Sequence, residues 1–284
     1  MYRKKPLEIF LTYFFAIIVL FLFIGPFLWL VISSISPEVE LTSIPLHWFP
    51  ERPNLNNYKT LLFGLGNNIA AKEYLPALRN STVVAVMTTF ICLVMGAVAA
   101  YAFSRIKFRG RNVLLLSTLL IQLLPTIAII IPLFLVVGKL GMLNSLRGLV
   151  LVYCSFTLPF VIWVMKGYFD TIPVSLEEAA LIDGCSRFGT LIRIVLPLSL
   201  PGFAATAIFS ILTVWSEFFI AVVFTSSISS KTIPVVIAEF NGRFALNYGL
   251  MAAASVLACV PPIIFGLLTQ KYLISGLTSG GVKG

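Results

Sequence analysis

Charge is what this chain has least of. Only 11% of its 284 residues are Asp, Glu, Lys or Arg, whereas 59% are hydrophobic and the mean hydropathy is +1.01. So little charge cannot cover a water-soluble surface, which excludes a soluble globular core and indicates a multi-span membrane protein. Histidine is nearly absent too. The single one, His47, sits in a Pro-flanked aromatic stretch expected outside the membrane, where it reads as a packed loop residue. No Ser/His/Asp, Cys/His or metal constellation can be assembled around one histidine, so no catalytic residue and no metal site is expected. The four cysteines, Cys92, Cys154, Cys185 and Cys259, show no CxxC or Cys/His spacing and read as small apolar residues rather than a disulfide framework. A Gly-rich phosphate loop is missing as well, so any ATP must be bound by another polypeptide. The net charge of +9 and pI of about 9.5 would suggest a nucleic-acid partner in a soluble protein; here topology accounts for the basic residues, and none is expected.

What the chain does have is six apolar segments, 10–32, 78–103, 113–137, 149–169, 202–224 and 248–268. Each can span about 30 Å of hydrocarbon, which takes roughly 20 helical residues. Arg3, Lys4 and Lys5 precede the first. Its apolar run is too long for a cleavable signal and lacks an A-x-A exit, so it reads as an uncleaved span. With the N terminus inside, cytoplasmic segments hold twelve of the 20 Lys and Arg, four of them in the short turn Arg105, Lys107, Arg109 and Arg111. The expected fold is therefore an all-α membrane protein, one transmembrane domain over 1–284 with six transmembrane helices and both termini cytoplasmic. Segment 33–77, with Pro37, Pro45, Pro50, Pro53 and Pro76, is expected as an extracytoplasmic cap. Pro125, Pro132, Pro159, Pro261 and Pro262 break the hydrogen-bond ladder inside spans. They read either as structural kinks or as parts of a pathway, since such breaks survive only against neighbours or a water-filled cavity.

The longest charged stretch, 170–200, lies between the fourth and fifth spans. Ser175 followed by Glu178 has the spacing of a capping box, which predicts a short helix. On that helix Leu176, Ala179, Ala180 and Asp183 share a face nearly bare of large side chains, open to close approach by another surface. Gly184 is expected to end it in a left-handed conformation, and Ser186 to cap a second helix with Phe188, Leu191, Ile192 and Val195 on one face and Arg187, Thr190 and Arg193 on the other. Pro197 and Pro201 interrupt that helix. The product is a helix-turn-helix, either a docking hairpin or an ordinary surface loop.

Glu178-Ala179-Ala180, Gly184 and Ile194-Val195-Leu196-Pro197 fall at the fixed distances of the coupling loop of ABC importer permeases. Tyr101-Ala102-Phe103-Ser104-Arg105, Pro132-Leu133-Phe134, Leu140-Gly141-Met142-Leu143-Asn144-Ser145 with Gly148-Leu149, and the closing run from Gly276 to Gly284 extend the likeness over the whole chain. The sequence resembles the smaller of the two six-span permease subunits in maltose-type carbohydrate importers. It departs from that pattern at Ser216, where Asn is common, and at Gly281, where Ala is usual.

The resemblance implies a heterodimer with a second permease, a dimer of cytoplasmic ABC ATPase, an extracytoplasmic solute-binding protein, and a sugar or related polyol as cargo. It implies a multi-pass protein of a bacterial or archaeal cytoplasmic membrane that binds no cofactor itself, ATP and Mg being used by the partner ATPase. Candidate coupling residues are Ser175, Glu177, Glu178, Ala179, Ala180, Asp183 and Gly184, with Gly280, Gly281, Val282 and Lys283 of the cytoplasmic tail 275–284 also reaching the ATPase. Gln122, Trp215, Ser216 and Glu217 are the candidate path residues. Glu217, the only acidic residue in a predicted span, either borders the sugar path or anchors the fifth span to a neighbour. The rival function is a secondary carrier driven by an ion gradient, which needs ionisable groups near the midplane, and only Glu217 qualifies.

Overall fold

The computed structural model describes residues 6–65, 69–240 and 247–280, with 6, 69, 70 and 271–280 as backbone only. Every regular element among the described residues is helical. In chain order these are α1 (Pro6–Ile35), α2 (Glu38–Leu41), α3 (Asn56–Phe63), α4 (Ile69–Arg105), α5 (Arg111–Gln122), α6 (Thr126–Lys139), α7 (Leu146–Asp170) and α8 (Val174–Ile182). Then come α9 (Arg187–Thr190), a π-helical turn (Leu191–Val195), α10 (Leu196–Leu198), α11 (Leu200–Trp215), α12 (Phe219–Phe224), α13 (Ile233–Glu239) and α14 (Tyr248–Gly280).

Four helices, Leu7–Ile35, Ala71–Arg105, Leu146–Asp170 and Tyr248–Gln270, are long and apolar enough to cross a membrane. Two bent pairs bring the number to six if each pair is one span: α5 with α6, bent by 100°, and Arg187–Leu198 with α11, bent by 80°. The third span, 113–137, is broken at Leu123 to Pro125, at the first of its two prolines. Pro125 has no N–H to continue the ladder and disfavours helical backbone at Leu124, while its own fixed φ of −59° starts α6. Pro132, Pro159, Pro261 and Pro262 leave their helices continuous. The expected fifth span, 202–224, also divides, at Ser216 to Phe218, where no proline or glycine announces it.

The chain separates into two compact units, Met1–Leu75 with Val236–Cys259, and Pro76–Val235 with Val260–Gly284. In the first, the Tyr58 and Ser34 hydroxyls meet at 2.6 Å, Asn57 donates to the Ser34 carbonyl at 3.0 Å, and the Tyr74 hydroxyl donates to the Ala254 carbonyl at 2.9 Å. Glu38 accepts from the amides of Tyr248 and Gly249, both at 3.0 Å, satisfying orphan donors at the start of α14. His47 is exposed, its Nδ1 3.3 Å from the Ser43 hydroxyl, rather than packed.

In the second unit two buried clusters lie along α4 and α7. One gathers Val84, Val152, Tyr153, Val214, Trp215 and Phe224; the other Cys92, Tyr101, Val161, Met165, Phe169 and Val195. α11 meets α7 at Gly202, where a Cβ would lie 2.4 Å from Cγ of Tyr168, so only glycine permits that approach. Asn144 accepts from the amides of Ser226 and Ser227 at 2.9 Å and from the Ser230 hydroxyl at 2.5 Å, tying the α6–α7 turn to the α12–α13 turn. These two turns thus hold one another without regular structure.

Candidate coupling site

The hairpin after α7 is built locally. α8 starts directly behind Pro173, whose φ of −56° presets the first turn, and the Leu176 amide donates to its carbonyl at 3.2 Å. No side chain caps this helix. The expected Ser175/Glu178 box is not formed, because Pro173 starts the helix two residues early and leaves Ser175 inside it. At the far end the expectation holds. Gly184 adopts φ +87°, its amide donates to the Leu181 carbonyl at 3.2 Å, and the Cys185 amide donates to the Ala180 carbonyl at 2.9 Å. This is a Schellman motif, which satisfies carbonyls at the helix end and needs a left-handed residue. Nothing lies within 4 Å of a Cβ at Gly184, so the backbone angle, not crowding inside the chain, selects glycine there. Ser186 caps α9 by accepting from the Gly189 amide at 3.1 Å, as its position predicts.

The hairpin's faces differ from the expectation. Glu177 and Ala180, one turn apart, are buried at 3% and 5% exposure, while Ser175, Leu176, Glu178, Ala179, Asp183 and Gly184 face outward. Ala180 therefore does not share an open face with Leu176, Ala179 and Asp183. On the second helix Leu191, Val195 and Thr190 are buried, while Phe188 and Ile192 are exposed. Ile182, 86% exposed at the turn, adds a third exposed apolar side chain to the hairpin, and Glu178 is exposed as well.

What turns α8 is a buried ion pair. Nε of Arg105, the last residue of α4, lies 2.6 Å from Oε1 of Glu177, with side-chain exposures of 9% and 5%. The Tyr101 hydroxyl, one turn back on α4, donates to Oε2 at 3.0 Å. The rest of the guanidinium is also engaged: it donates to the carbonyls of Phe169 at 2.8 Å and Ile172 at 3.1 Å and to the Ser104 hydroxyl at 2.7 Å. Ser104 donates in turn to Asp170, which pairs with Lys166 at 2.5 Å. One guanidinium thus locks the end of α4, the end of α7 and the inner side of α8, with its fork of donors nearly filled. Spacing alone did not single out Arg105 or Tyr101 for this role, because nothing in a linear sequence pairs residues so far apart.

The candidate path residues do not form one group. Trp215 is buried in the first cluster of the second unit, whereas Gln122 and Ser216 are exposed. Glu217 lies in the break between α11 and α12. Its Oε1 accepts from the Ile220 amide at 2.9 Å, and its Oε2 from the Ala221 amide at 3.2 Å and the Tyr153 hydroxyl at 2.7 Å. The carboxylate therefore caps α12 and ties it to α7 of its own chain. The tail residues Gly281, Val282 and Lys283 lie outside the described residues; Gly280 is the last residue of α14, whose helix continues through much of the expected Gly-rich tail.

Residues 92–279, which include α7, the hairpin, α11 and most of α14, match the family described as binding-protein-dependent transport system inner membrane component. The chain belongs to this family. It is 35% identical to the trehalose/maltose transport system permease protein of Thermococcus litoralis over 99% of both chains. It is 34% identical to the sulfoquinovosyl glycerol transport system permease protein of Agrobacterium fabrum, over 91% of this chain and 88% of that one. In fold it is similar to a chain of a bacterial ABC transporter involved in the import of the acidic polysaccharide alginate, with a TM-score of 0.80, 22% identity, and coverage of 96% and 99%. The permease is thus a transport component of an inner membrane rather than an enzyme.

Proposed function

We propose that this permease is one subunit of an ATP-driven, binding-protein-dependent importer of a sugar or related polyol. In this reading it works as one domain of six spans, the two bent pairs each serving as one, with both termini cytoplasmic and 33–77 as the extracytoplasmic cap. It pairs with a second permease, stands on a dimer of separate ABC ATPase subunits that use ATP and Mg, and receives cargo from a solute-binding protein. Support for the cargo class comes from its relatives, whose transport systems are described for trehalose and maltose and for sulfoquinovosyl glycerol.

The observation that carries the reading is the hairpin held by Arg105. Its outer face, with Ile182, Phe188 and Glu178, suits a partner that pushes on it, and its inner face is fastened to α4 and α7. A displacement of α8 therefore moves the ends of two long spans together, as rigid-body rocking between inward-facing and outward-facing states requires. Ser175, Ala179, Asp183 and Gly184 lie on the side offered to the ATPase, while Glu177 and Ala180 transmit the motion inward.

The test is uptake of radiolabelled trehalose and maltose by cells carrying the whole importer, with ATP depleted while the proton and sodium gradients are clamped. Uptake should stop. Uptake that persists under those conditions supports the ion-driven carrier instead.

A further inference from the structure

Two of the helix breaks in the second unit, α5/α6 and α11/α12, open onto one cleft of about 150 Å³. Thr126, the first residue of α6, lines it from the break behind Leu123, and Glu217 lines it from the break between α11 and α12. Tyr153, Phe156 and Thr157, spaced as one face of α7, form its wall. Irregular backbone at membrane depth is tolerated where it is buried in protein or lines a cavity, and transporters place cargo at such discontinuous helices.

Thr157 is the telling residue. It is 6% exposed, and its hydroxyl has no partner among the described residues. The helical hydroxyls of α11 donate to the carbonyl four residues back: Thr206 to Gly202 at 2.7 Å, Ser210 to Thr206 at 2.8 Å and Thr213 to Phe209 at 2.8 Å. Thr88 and Thr89 on α4 are unpaired too. Thr157 differs in facing an open volume that also holds a carboxylate, a phenol and the Thr126 hydroxyl.

Glu217 has capacity left. A carboxylate offers about four lone-pair positions, and the Ile220, Ala221 and Tyr153 donors use three of them. No Lys or Arg lines the cleft. An anionic ligand would meet a carboxylate with no counter-charge, whereas a neutral hydroxyl can donate to Glu217 and exchange hydrogen bonds with Thr126 and Thr157. The ring of Phe156 offers an apolar surface for the C–H face of a sugar. The volume is below that of a drug-sized pocket, about 300 Å³ or more, and suits one ring.

We propose that this cleft is a subsite for one uncharged sugar ring during passage, with Glu217 and Thr157 reading its hydroxyls, and that it selects against acidic sugars. The subsite rests on the sugar-import reading above.

The test uses cells carrying the whole importer, with Cys92, Cys154, Cys185 and Cys259 replaced by alanine and Thr157→Cys introduced. The thiol is probed with 2-aminoethyl methanethiosulfonate, with and without trehalose, maltose or glucuronic acid. Thr157→Cys should react, and a neutral sugar that the cells take up should slow the reaction, about tenfold at ten times its dissociation constant. Glucuronic acid should not. In the native background Thr157→Val, which keeps the shape, should lower the maximal uptake rate about tenfold, the scale of one unpaired hydrogen bond, and Thr157→Ser should restore it. An unreactive thiol, a rate that no transported sugar changes, or protection by glucuronic acid overturns the subsite while import itself stands. If parent cells take up neither trehalose nor maltose nor any other neutral sugar or polyol in a panel of labelled compounds, the sugar-import reading falls and the subsite with it.

Discussion

Arg105 and Glu177, 72 positions apart in sequence, meet at 2.6 Å in a site that is almost closed to solvent. Their pairing orients the hairpin: it draws one side of α8 inward and so decides which residues α8 can offer to a partner. Breaking one side of a buried pair costs about 3–5 kcal/mol, because the other charge is left uncompensated.

Arg105→Ala should therefore lower the melting temperature of the purified complex and reduce uptake, also stranding the Phe169 and Ile172 carbonyls. Joint replacement of Arg105 and Glu177 by Leu should harm stability less than either single change, since no lone charge remains. Thermal unfolding in detergent measures this, and strictly additive losses would speak against the strut.

Gly184 makes a second, independent prediction. At φ +87° a β-branched side chain is strained by about 1–2 kcal/mol. Gly184→Val should reduce uptake while the protein still inserts, as judged by its level in the membrane. Gly184→Asn should be milder, because Asn tolerates the left-handed region. Equal uptake by all three would remove the turn from the mechanism.

Glu217 makes a third prediction. The carboxylate anchors α12 to α7 within its own chain, and it also lines the cleft. Glu217→Leu loses a cap, typically worth about 1 kcal/mol, together with the Tyr153 bond, and should destabilise the purified complex. Glu217→Gln keeps one acceptor oxygen and should lose less. An unchanged melting temperature in the Leu variant would show that the cap contributes nothing.

Sequence made local features legible and distant ones opaque. The Gly184 turn and the Ser186 cap were readable because each depends on backbone chemistry within a few residues. The Ser175/Glu178 box does not form because Pro173, equally local, takes the helix start. The break at Ser216 to Phe218 carries no Gly or Pro; it is held by the Glu217 carboxylate capping the next helix, a tertiary arrangement with Tyr153. Arg105 could be counted as a topological charge, yet its partner could not be found from spacing.

The proposed orientation predicts that single cysteines replacing Asn56 and Ser229, in a background without the four native ones, react with an impermeant thiol reagent in intact cells. One replacing Arg109 should not. Labelling of the Arg109→Cys variant from outside would reverse the topology.

The most direct measurement for the coupling account places a cysteine at Ala179, on the outward side of α8, and attaches a short photoactivatable cross-linker in native membranes. Illumination should join the hairpin to a nucleotide-hydrolysing subunit, identified by mass spectrometry, with a yield that changes when ATP and vanadate trap the closed state. A fully labelled hairpin that forms no adduct with such a subunit, in membranes still competent for uptake, would contradict the account.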